Sequence, residues 1–318
     1  MLDSIIYYTQ LNGFRYDVIP ILFANKSFYN NHFLWNMIIN KKYGLTPLMC
    51  AAFKINYERI NFLLDAGANV NTVDNSNQSA LLYILAKIKE IPNKCSECNT
   101  CNTKVNVIVQ IITRLCKNNI NLDILTPDLD NLVMIAVKLG FTKAVKIFCN
   151  YKFNIHHKNI DGKTAMALAI ENNYPIICYY LWKKGADINS VDDKKHTFLM
   201  TLVYNSGTKE SVSYDMIEDV LKNKPNVNAR DIYNSDAIMY ACRGSALNII
   251  ELLIKYGADV NNALFSAVHL NKIEYIEMLC SSQNFINYNI LIKAAKKLKY
   301  KDIEQLLIKK SSTVKYQS

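Results

Sequence analysis

Apolar residues recur along this chain in short runs that have the spacing of amphipathic helices and that come in pairs. Ile60, Leu63 and Leu64 lie at positions i, i+3 and i+4, which places them on one face of a helix. An earlier run, Leu48–Ala52, stands a few polar residues upstream and ends in two alanines that let a neighbouring helix approach closely. Short helices in pairs, each with one apolar face, predict an all-α chain of helix–turn–helix units.

The residues at the ends of these runs fit helix boundaries. Thr46 is a favourable N-cap, and Pro47 fits the first turn, where a missing N–H group costs nothing. Gly67 follows the second run and can adopt the positive φ that ends a helix. The segment therefore predicts a complete helix pair between Thr46 and Gly67.

The same phrases return along the chain. The closing phrase Gly67–Asn71 reappears as Gly185–Asn189 and Gly257–Asn261, with weaker copies that end at Asn121, His156 and Asn228. The closing positions 71, 121, 156, 189, 228 and 261 are separated by 50, 35, 33, 39 and 33 residues. The opening phrase recurs at similar intervals, at Thr46, Ser79, Asn131, Thr164, Thr197 and Asp236. Because the two phrases alternate along the chain at these intervals, they indicate a tandem repeat.

These phrases, Thr46-Pro47-Leu48 with Gly67-Ala68-Asn69-Val70-Asn71, resemble the signature of the ankyrin-repeat family. A repeat of that family has about 33 residues, a β-turn and two antiparallel helices. The resemblance implies an all-α ankyrin-repeat solenoid with short β-hairpin tips. The repeats are decayed, and Asn, Ile, Lys and Tyr, which AT-rich codons encode, are abundant. In both respects the chain resembles ankyrin proteins of large DNA viruses or intracellular bacteria.

The repeats also predict the domain organisation. We expect a degenerate N-terminal capping repeat over 1–40, because a terminal repeat must show one polar face to water. Six recognisable repeats and a shortened one follow over 41–285, with insertions near 88–104 and 205–213. Two capping helices with a basic tail are expected over 286–318, and no β-hairpin is expected after Asn261, because Ala263 already begins the next helix.

The cysteine content and the lack of targeting signals indicate the cellular compartment in which the protein works. Nine cysteines are an odd number, and most lie at helix positions, so we expect free thiols in a reducing compartment. The first residues have no basic leader and no cleavage site, and no apolar run approaches the roughly 18 residues of a membrane span. We expect an intracellular, cytoplasmic protein without a membrane segment, in the host cytoplasm if it is a viral or effector protein.

The net charge of +10 leaves an alternative open. Lysines are concentrated near the end of the chain, at 293, 296, 297, 299, 301, 309, 310 and 315, where only Asp302 and Glu304 oppose them. Nucleic acid or another anionic surface could bind there. Against this alternative, the lysines have no interleaved aromatic platform and no nucleic-acid fold signature accompanies them.

Cys95, Cys98 and Cys101 form two overlapping Cys-x-x-Cys spacings in the first insertion. A closed structural zinc site needs four ligands, and the fourth would be Cys116. With no histidine nearby, an inert loop is the favoured interpretation, and we expect neither a metal nor a cofactor. A redox-active loop is the third possibility.

No phosphate-binding glycine loop, nucleophile elbow, metalloprotease helix or paired carboxylate is present in the sequence. Acids such as Glu58, Glu251, Glu274 and Glu304 fall on second helices, where a charge is usually solvated. We therefore expect a protein that is not an enzyme.

The resemblance implies where a partner binds. In the ankyrin-repeat family a protein partner contacts the concave face, which hairpin tips and inner helices form. Carried onto this sequence, that face comprises the residues Lys42, Tyr43, Phe53, Ile160, Lys163, Lys194, His196, Tyr204, Tyr233 and Arg243. We expect a monomer that binds a protein partner, a host protein if the chain is viral.

Overall fold

The structure is a computed structural model of the 318-residue chain. It describes residues 43–90, 99–206, 212–244, 247–280 and 286–315, with side chains except at 99–101 and 313–315. The predicted cap at 1–40, Lys42, Cys95 and Cys98 lie outside the described residues. The chain divides into two compact units: unit 1 holds Met1–Leu168 and Lys183–Gly185, and unit 2 holds Ala169–Trp182 and Ala186–Ser318.

Sixteen helices account for most of the described residues, and they follow one another in pairs. The first eight are α1 Pro47–Phe53, α2 Tyr57–Asp65, α3 Ala80–Ile88, α4 Asn99–Lys117, α5 Leu132–Lys138, α6 Thr142–Phe148, α7 Ala165–Glu171 and α8 Pro175–Lys183. The others are α9 Phe198–Asn205, α10 Tyr214–Lys222, α11 Ala237–Gly244, α12 Leu247–Lys255, α13 Val260–His269, α14 Ile273–Cys280, α15 Tyr288–Leu298 and α16 Lys301–Lys315. The predicted all-α architecture is confirmed.

The opening phrase forms the start of the first helix in each pair. The Oγ1 atom of Thr46 accepts a hydrogen bond from the Met49 N–H group at 3.4 Å, and Pro47 occupies the first turn of α1. Asn131 and Thr197 cap α5 and α9 in the same way, at 2.9 and 3.2 Å. The polar residue in the phrase is therefore needed because the first N–H groups of a helix have no partner within it.

The closing phrase ends the second helix and joins one repeat to the next. Gly67 has φ +84° after α2, as the sequence predicts. In unit 2 the Oδ1 atom of Asn228 accepts from the Asp259 N–H group at 2.8 Å, while its amide donates to the Gly257 carbonyl at 2.9 Å. Asn189 and Asn261 accept similar bonds from the next repeat. The asparagine thus ties successive turns together.

The helices pack in two rows within each unit. In unit 1 the first helices α1, α3 and α5 pack side by side, and α2, α4 and α6 form the second row. In unit 2, α9, α11, α13 and α15 form the first row. Apolar side chains from both rows are buried between them, among them Leu48, Leu81, Phe148, Leu199 and Leu253. Most of the driving force for folding comes from this burial.

Two segments differ from a regular repeat. Sequence periodicity predicts that the second helix of repeat two begins near Val107, whereas α4 begins at Asn99. The prediction was too late in the chain because Asn102, Thr103 and Lys104 are exposed and polar, so the first turns of α4 show no apolar pattern. By contrast, α13 begins at Val260, inside the closing phrase Gly257–Asn261 and three residues before the predicted Ala263, with Asp259 as its N-cap, so no hairpin separates this phrase from the helix. Elsewhere single antiparallel bridges, Val73 to Ser79 and Val191 to Thr197, close the hairpin tips.

Candidate functional site

The tip of the fifth repeat is a tight turn from Asp192 to His196. The Oδ1 atom of Asp192 accepts hydrogen bonds from the Lys194 and His196 N–H groups at 2.9 and 2.8 Å. Lys195 has φ +60°, and its N–H group donates to the Asp192 carbonyl at 3.0 Å. An aspartate that bonds backbone two and four residues ahead fixes the turn. The side chains of Lys194 and His196 therefore project from a defined backbone.

The tip of the sixth repeat has the same construction from Asp231 to Ser235. The Oδ1 atom of Asp231 accepts from the Tyr233 and Ser235 N–H groups, both at 2.8 Å. Asn234 has φ +59° at the position that corresponds to Lys195. The Ile232 N–H group also donates to the Lys194 carbonyl at 3.0 Å. The two tips are thereby joined, and residues from both present one surface.

A polar cluster lies beneath the two tips. The Nδ1 atom of His196 is 3.2 Å from Oδ2 of Asp192, and its Nε2 atom is 3.4 Å from Oδ2 of Asp231. Tyr240, on α11, donates to the same Asp231 oxygen at 2.7 Å, and its hydroxyl is 3.1 Å from Nε2 of His196. Burial and the hydrogen bond to Asp231 raise the pKa of the Tyr240 hydroxyl. Because both carboxylates accept from backbone N–H groups, the cluster fixes the positions of the two tips.

Aromatic side chains surround this cluster on the surface. Tyr204, at the end of α9, meets the Tyr240 ring edge-on, with centroids 6.0 Å apart, and is 57% exposed. Tyr233 is 67% exposed and Ile232 is 54% exposed. The guanidinium of Arg243 stands over the Tyr240 ring at 5.3 Å and donates to Oγ of Ser235 at 3.2 Å. Large exposed side chains from neighbouring repeats thus lie around one buried polar centre.

A cleft of about 480 Å³ opens beside the cluster within unit 2. It is lined by the ends of α7 and α9, the fifth tip and Tyr240, through side chains that include Glu171, Asp193, Lys194, His196 and Tyr204. Three residues that the sequence analysis proposed separately, Lys194, His196 and Tyr204, are therefore brought together here. Tyr233 and Arg243 lie next to them, on the sixth tip and α11.

The other candidates lie in unit 1. Lys87 stands over the Phe53 ring at 4.2 Å, and both line a second cleft of about 520 Å³. Ile160 is exposed at the tip before α7, where its N–H group donates to the Asp128 carbonyl, and Lys163 is half-buried in the same turn. Tyr43 is also half-buried, and its carbonyl accepts from the Asn75 N–H group at 3.0 Å.

Sequence reasoning missed Asp192, Asp231 and Tyr240. A spacing signal for them exists, because Tyr240 follows Asp231 by nine residues and the pair recurs in unit 1. There Tyr83 donates to Oδ2 of Asp74 at 2.6 Å, again nine residues apart. The repeat register therefore contained the signal, but only a comparison between distant repeats reveals it.

The cysteine cluster is only partly described. Cys116 is buried in α4, and burial raises the pKa of its thiol to about 12. The side chain of Cys101 lies outside the described residues, as Cys95 and Cys98 do. Among the side chains that the structure describes, no group of three His, Cys, Asp or Glu residues could hold a metal ion.

Comparison with known proteins identifies the fold. A family model described as ankyrin repeats, in three copies, matches residues 101–192 and 199–290, which together exceed half of the chain. A model of a single ankyrin repeat matches residues 43–75. The chain belongs to the ankyrin-repeat family. Ankyrin repeats in general mediate protein–protein interactions and are not catalytic. The fifth and sixth tips described above are the tips of two ankyrin repeats of this chain.

Related ankyrin-repeat proteins occur in large DNA viruses. The chain is 28% identical over 159 residues to the ankyrin repeat protein FPV244 of fowlpox virus, a match that covers 47% of this chain and 23% of that protein. It is 26% identical over 157 residues to the ankyrin repeat protein L371 of Acanthamoeba polyphaga mimivirus, a match that covers 48% of this chain and 20% of that protein. The matches thus span less than a quarter of either relative's length.

Solved ankyrin-repeat domains are similar as well. One from Acinetobacter baumannii has 18% identity and a TM-score of 0.48, covering 67% of this chain and 98% of that domain. The ankyrin repeat domain of Bcl-3 has 20% identity and a TM-score of 0.46, covering 74% and 98%.

Within the described ranges of this ankyrin-repeat protein, no helix combines the length and the apolar character that a crossing of the bilayer requires.

Proposed function

We propose that this ankyrin-repeat protein binds a protein partner, without catalysis, through the surface of the fifth and sixth repeats. Lys194, His196, Tyr204, Tyr233 and Arg243 form this surface, which we call the tip surface. The observation that carries the proposal is the exposure of Tyr204, at the end of α9, and of Tyr233, on the sixth tip, beside two tips that a hydrogen bond joins. Tyrosine and arginine are the residue types that dominate the energetics of protein interfaces.

Rigid presentation supports the same proposal. Ordering flexible side chains and loops at an interface opposes binding. Here the aspartates of both turns fix the backbone, and the hydrogen bond from Tyr240 to Asp231 fixes the Tyr240 ring, against which Tyr204 packs. A partner would therefore meet a surface that is already ordered. Tyr43, Phe53, Ile160 and Lys163 are proposed as further contacts, on unit 1.

The setting of this function is proposed from the viral relatives. We infer that the protein works inside a cell, as a monomer, and that its partner is a host protein if the chain is viral. The relatives are several times longer than the matched region, so their own activities do not transfer to this chain.

The experiment is partner capture with tagged full-length protein from the native cell, read by mass spectrometry. The Tyr233→Ala/Arg243→Ala double variant should lose the partners that the unchanged protein captures, because hot-spot residues contribute about 2 kcal/mol or more each. Tyr214→Ala, an exposed tyrosine on the second helix α10, is the matched control and should capture normally. Unchanged helicity and melting temperature of each variant establish that it is folded.

The same experiment tests the basic C-terminal helices. Lys293, Lys296 and Lys297 are exposed on α15. The Lys293→Gln/Lys296→Gln/Lys297→Gln variant removes three positive charges, and glutamine has a helix propensity close to that of lysine. Normal capture by this variant is expected. If it loses the partners while the double variant keeps them, the tip surface is the wrong site and the basic helices bind instead. Nucleic acid in place of protein among the captured material would also contradict the proposal.

A further inference from the structure

Neighbouring repeat tips are joined by a backbone hydrogen bond that recurs along the chain. In unit 2 the Ile232 N–H group of the sixth tip donates to the Lys194 carbonyl of the fifth tip, at 3.0 Å. The acceptor is the third residue before Thr197, the N-cap of the next helix. In each joined pair, one tip therefore offers a carbonyl to the tip that follows. The same bond, also 3.0 Å long, joins two pairs in unit 1, Asn75 to Tyr43 and Ile160 to Asp128.

The sixth tip has the same acceptor, but no tip follows it. Tyr233 is the third residue before Asp236, the N-cap of α11. The N–H group of Tyr233 bonds Asp231 within the tip, whereas its carbonyl accepts no hydrogen bond from any described residue. Because α13 begins at Val260, the seventh repeat has no tip that could supply an N–H group. The joined tips of unit 2 therefore end in an open acceptor.

An aromatic side chain at this position is covered where a tip follows. Tyr43 holds the same position before α1 as Tyr233 holds before α11, and the tip that contains Asn75 is docked on its carbonyl. Tyr43 is half-buried, whereas Tyr233 is 67% exposed. The missing seventh tip thus leaves the Tyr233 ring in water.

The missing tip also leaves an apolar side chain of α13 uncovered. Phe265 is 40% exposed, three residues after Asn262. The amide of Asn262 donates to the Asp236 carboxylate at 2.6 Å, so this turn of α13 lies at the foot of the sixth tip. We call the place beside Tyr233 and above Phe265, where a seventh tip would stand, the tip gap. The residues three positions after the N-cap are buried in four other repeats, at Met49, Leu82, Met134 and Met200.

We propose that a turn of the protein partner occupies the tip gap. One backbone N–H group of the turn donates to the Tyr233 carbonyl, as Ile232 donates to Lys194, and its apolar side chains cover Tyr233 and Phe265. Main-chain pairing with an open edge gives affinity, and side chains beside the edge give specificity. Apolar area that leaves water adds to the binding free energy. This inference rests on the proposed function, because it names the part of the partner that the tip surface receives.

The probe is a peptide selected on the full-length protein from a library of turn-forming peptides displayed on phage. In a synthetic series, one amide at a time is replaced by an ester, which removes a single N–H donor and keeps the side chains. We expect one position at which the ester weakens binding by about three- to tenfold, the range of a net backbone hydrogen bond. Esters at the other positions should bind nearly as the parent peptide does.

A carbonyl label reports the acceptor directly. In protein that contains tyrosine labelled with ¹³C at the carbonyl carbon, the Tyr233 resonance is the one that disappears in unlabelled-phenylalanine protein with Tyr233→Phe. It should move downfield when the peptide binds, because accepting a hydrogen bond deshields a carbonyl carbon. The weakened ester analogue, at a concentration that saturates the protein, should not produce this shift.

A variant of α13 tests the floor of the tip gap. Phe265→Ala should weaken the same peptides by about tenfold, since an aromatic side chain at the centre of an interface contributes strongly. Its helicity and melting temperature should stay close to those of the unchanged protein, because the side chain is partly exposed. Leu270→Ala is the matched control, since Leu270 is 39% exposed at the C-terminal end of the same helix, and it should bind normally.

The results separate this inference from the proposed function. The turn in the tip gap is wrong if the ester series is flat, if the Tyr233 carbonyl does not shift or if Phe265→Ala binds normally. Peptides that Tyr233→Ala still weakens would then leave the tip surface standing. A dimer in sedimentation that Phe265→Ala converts to a monomer would show that a second copy fills the gap, and would also overturn the inference. If no selected peptide depends on Tyr233 or Arg243, or if selection yields no binder, both proposals are overturned.

Discussion

The hydroxyl of Tyr240 donates a hydrogen bond to the Oδ2 atom of Asp231, 2.7 Å away, and so connects the first helix of the sixth repeat to the turn that begins it. The side chain of Asp231 is inaccessible to solvent. Its other oxygen accepts from two backbone N–H groups. A single carboxylate therefore holds both the tip and the ring on which Tyr204 packs.

Removing that hydroxyl should destabilise the protein. We expect Tyr240→Phe to lower the free energy of unfolding by about 1–3 kcal/mol, because a buried acceptor loses a donor. Urea unfolding followed by circular dichroism measures the change. Tyr204→Phe is the matched control, because that hydroxyl belongs to an exposed ring, and it should leave the midpoint unchanged. Equal midpoints for the two variants would contradict the role of the Tyr240–Asp231 bond.

Asp236 should make stability depend on pH. This fully buried N-cap of α11 accepts from the Met239 N–H group and the Asn262 amide, and burial raises the pKa of its carboxyl. Because the folded-state pKa is above the unfolded value of about 3.9, the folded state binds the proton more tightly. The stability from this group is present below the unfolded pKa and is lost as pH rises through the folded pKa.

Asp236→Asn removes that dependence and keeps a good N-cap. We expect the variant to be at least as stable as the unchanged protein at about pH 7, and to lose this relative advantage on acidification toward about pH 4. Thermal melts of both proteins across this range measure the difference. A variant whose relative stability grows as the pH falls would show that the charged carboxylate is favoured in the fold.

The asparagine that ends most of the repeats should contribute to stability. Asn228 bonds the Asp259 N–H group and the Gly257 carbonyl, so Asn228→Ala breaks two contacts. We expect a loss of about 1 kcal/mol in the free energy of unfolding, since both bonds are exposed to water. Asn226→Ala, two residues earlier and also exposed, is the control. If both alanine variants unfold at the same urea concentration, the bonds do not stabilise the stack.

The cysteines of the first insertion should not bind zinc stoichiometrically. Thiolates are the ligands of zinc, and the buried Cys116 thiol resists deprotonation because its pKa is raised to about 12. Elemental analysis of protein purified without chelator should find well below one zinc per chain. One zinc per chain that disappears in the Cys95→Ser/Cys98→Ser/Cys101→Ser variant would overturn this prediction.

Local chemistry made much of the fold predictable. The N-cap role of Thr46, the place of Pro47 and the positive φ of Gly67 follow from backbone requirements that involve only a few neighbouring residues. The helix pairs follow from the apolar period. The sequence pattern did not predict where α4 begins, because the first turns of this helix are exposed and exposed turns have no apolar stripe.

The sequence by itself determined the family, the order of helices and the positions of the tips, since repeated phrases encode each turn locally. The tertiary structure alone decided which tip side chains meet. His196 and Asp231 lie 35 positions apart, and Tyr204 and Tyr240 lie 36 apart, yet each pair is in contact. Such contacts depend on how one repeat stacks on the next, and that register is set by packing across the whole interface, which no local pattern records.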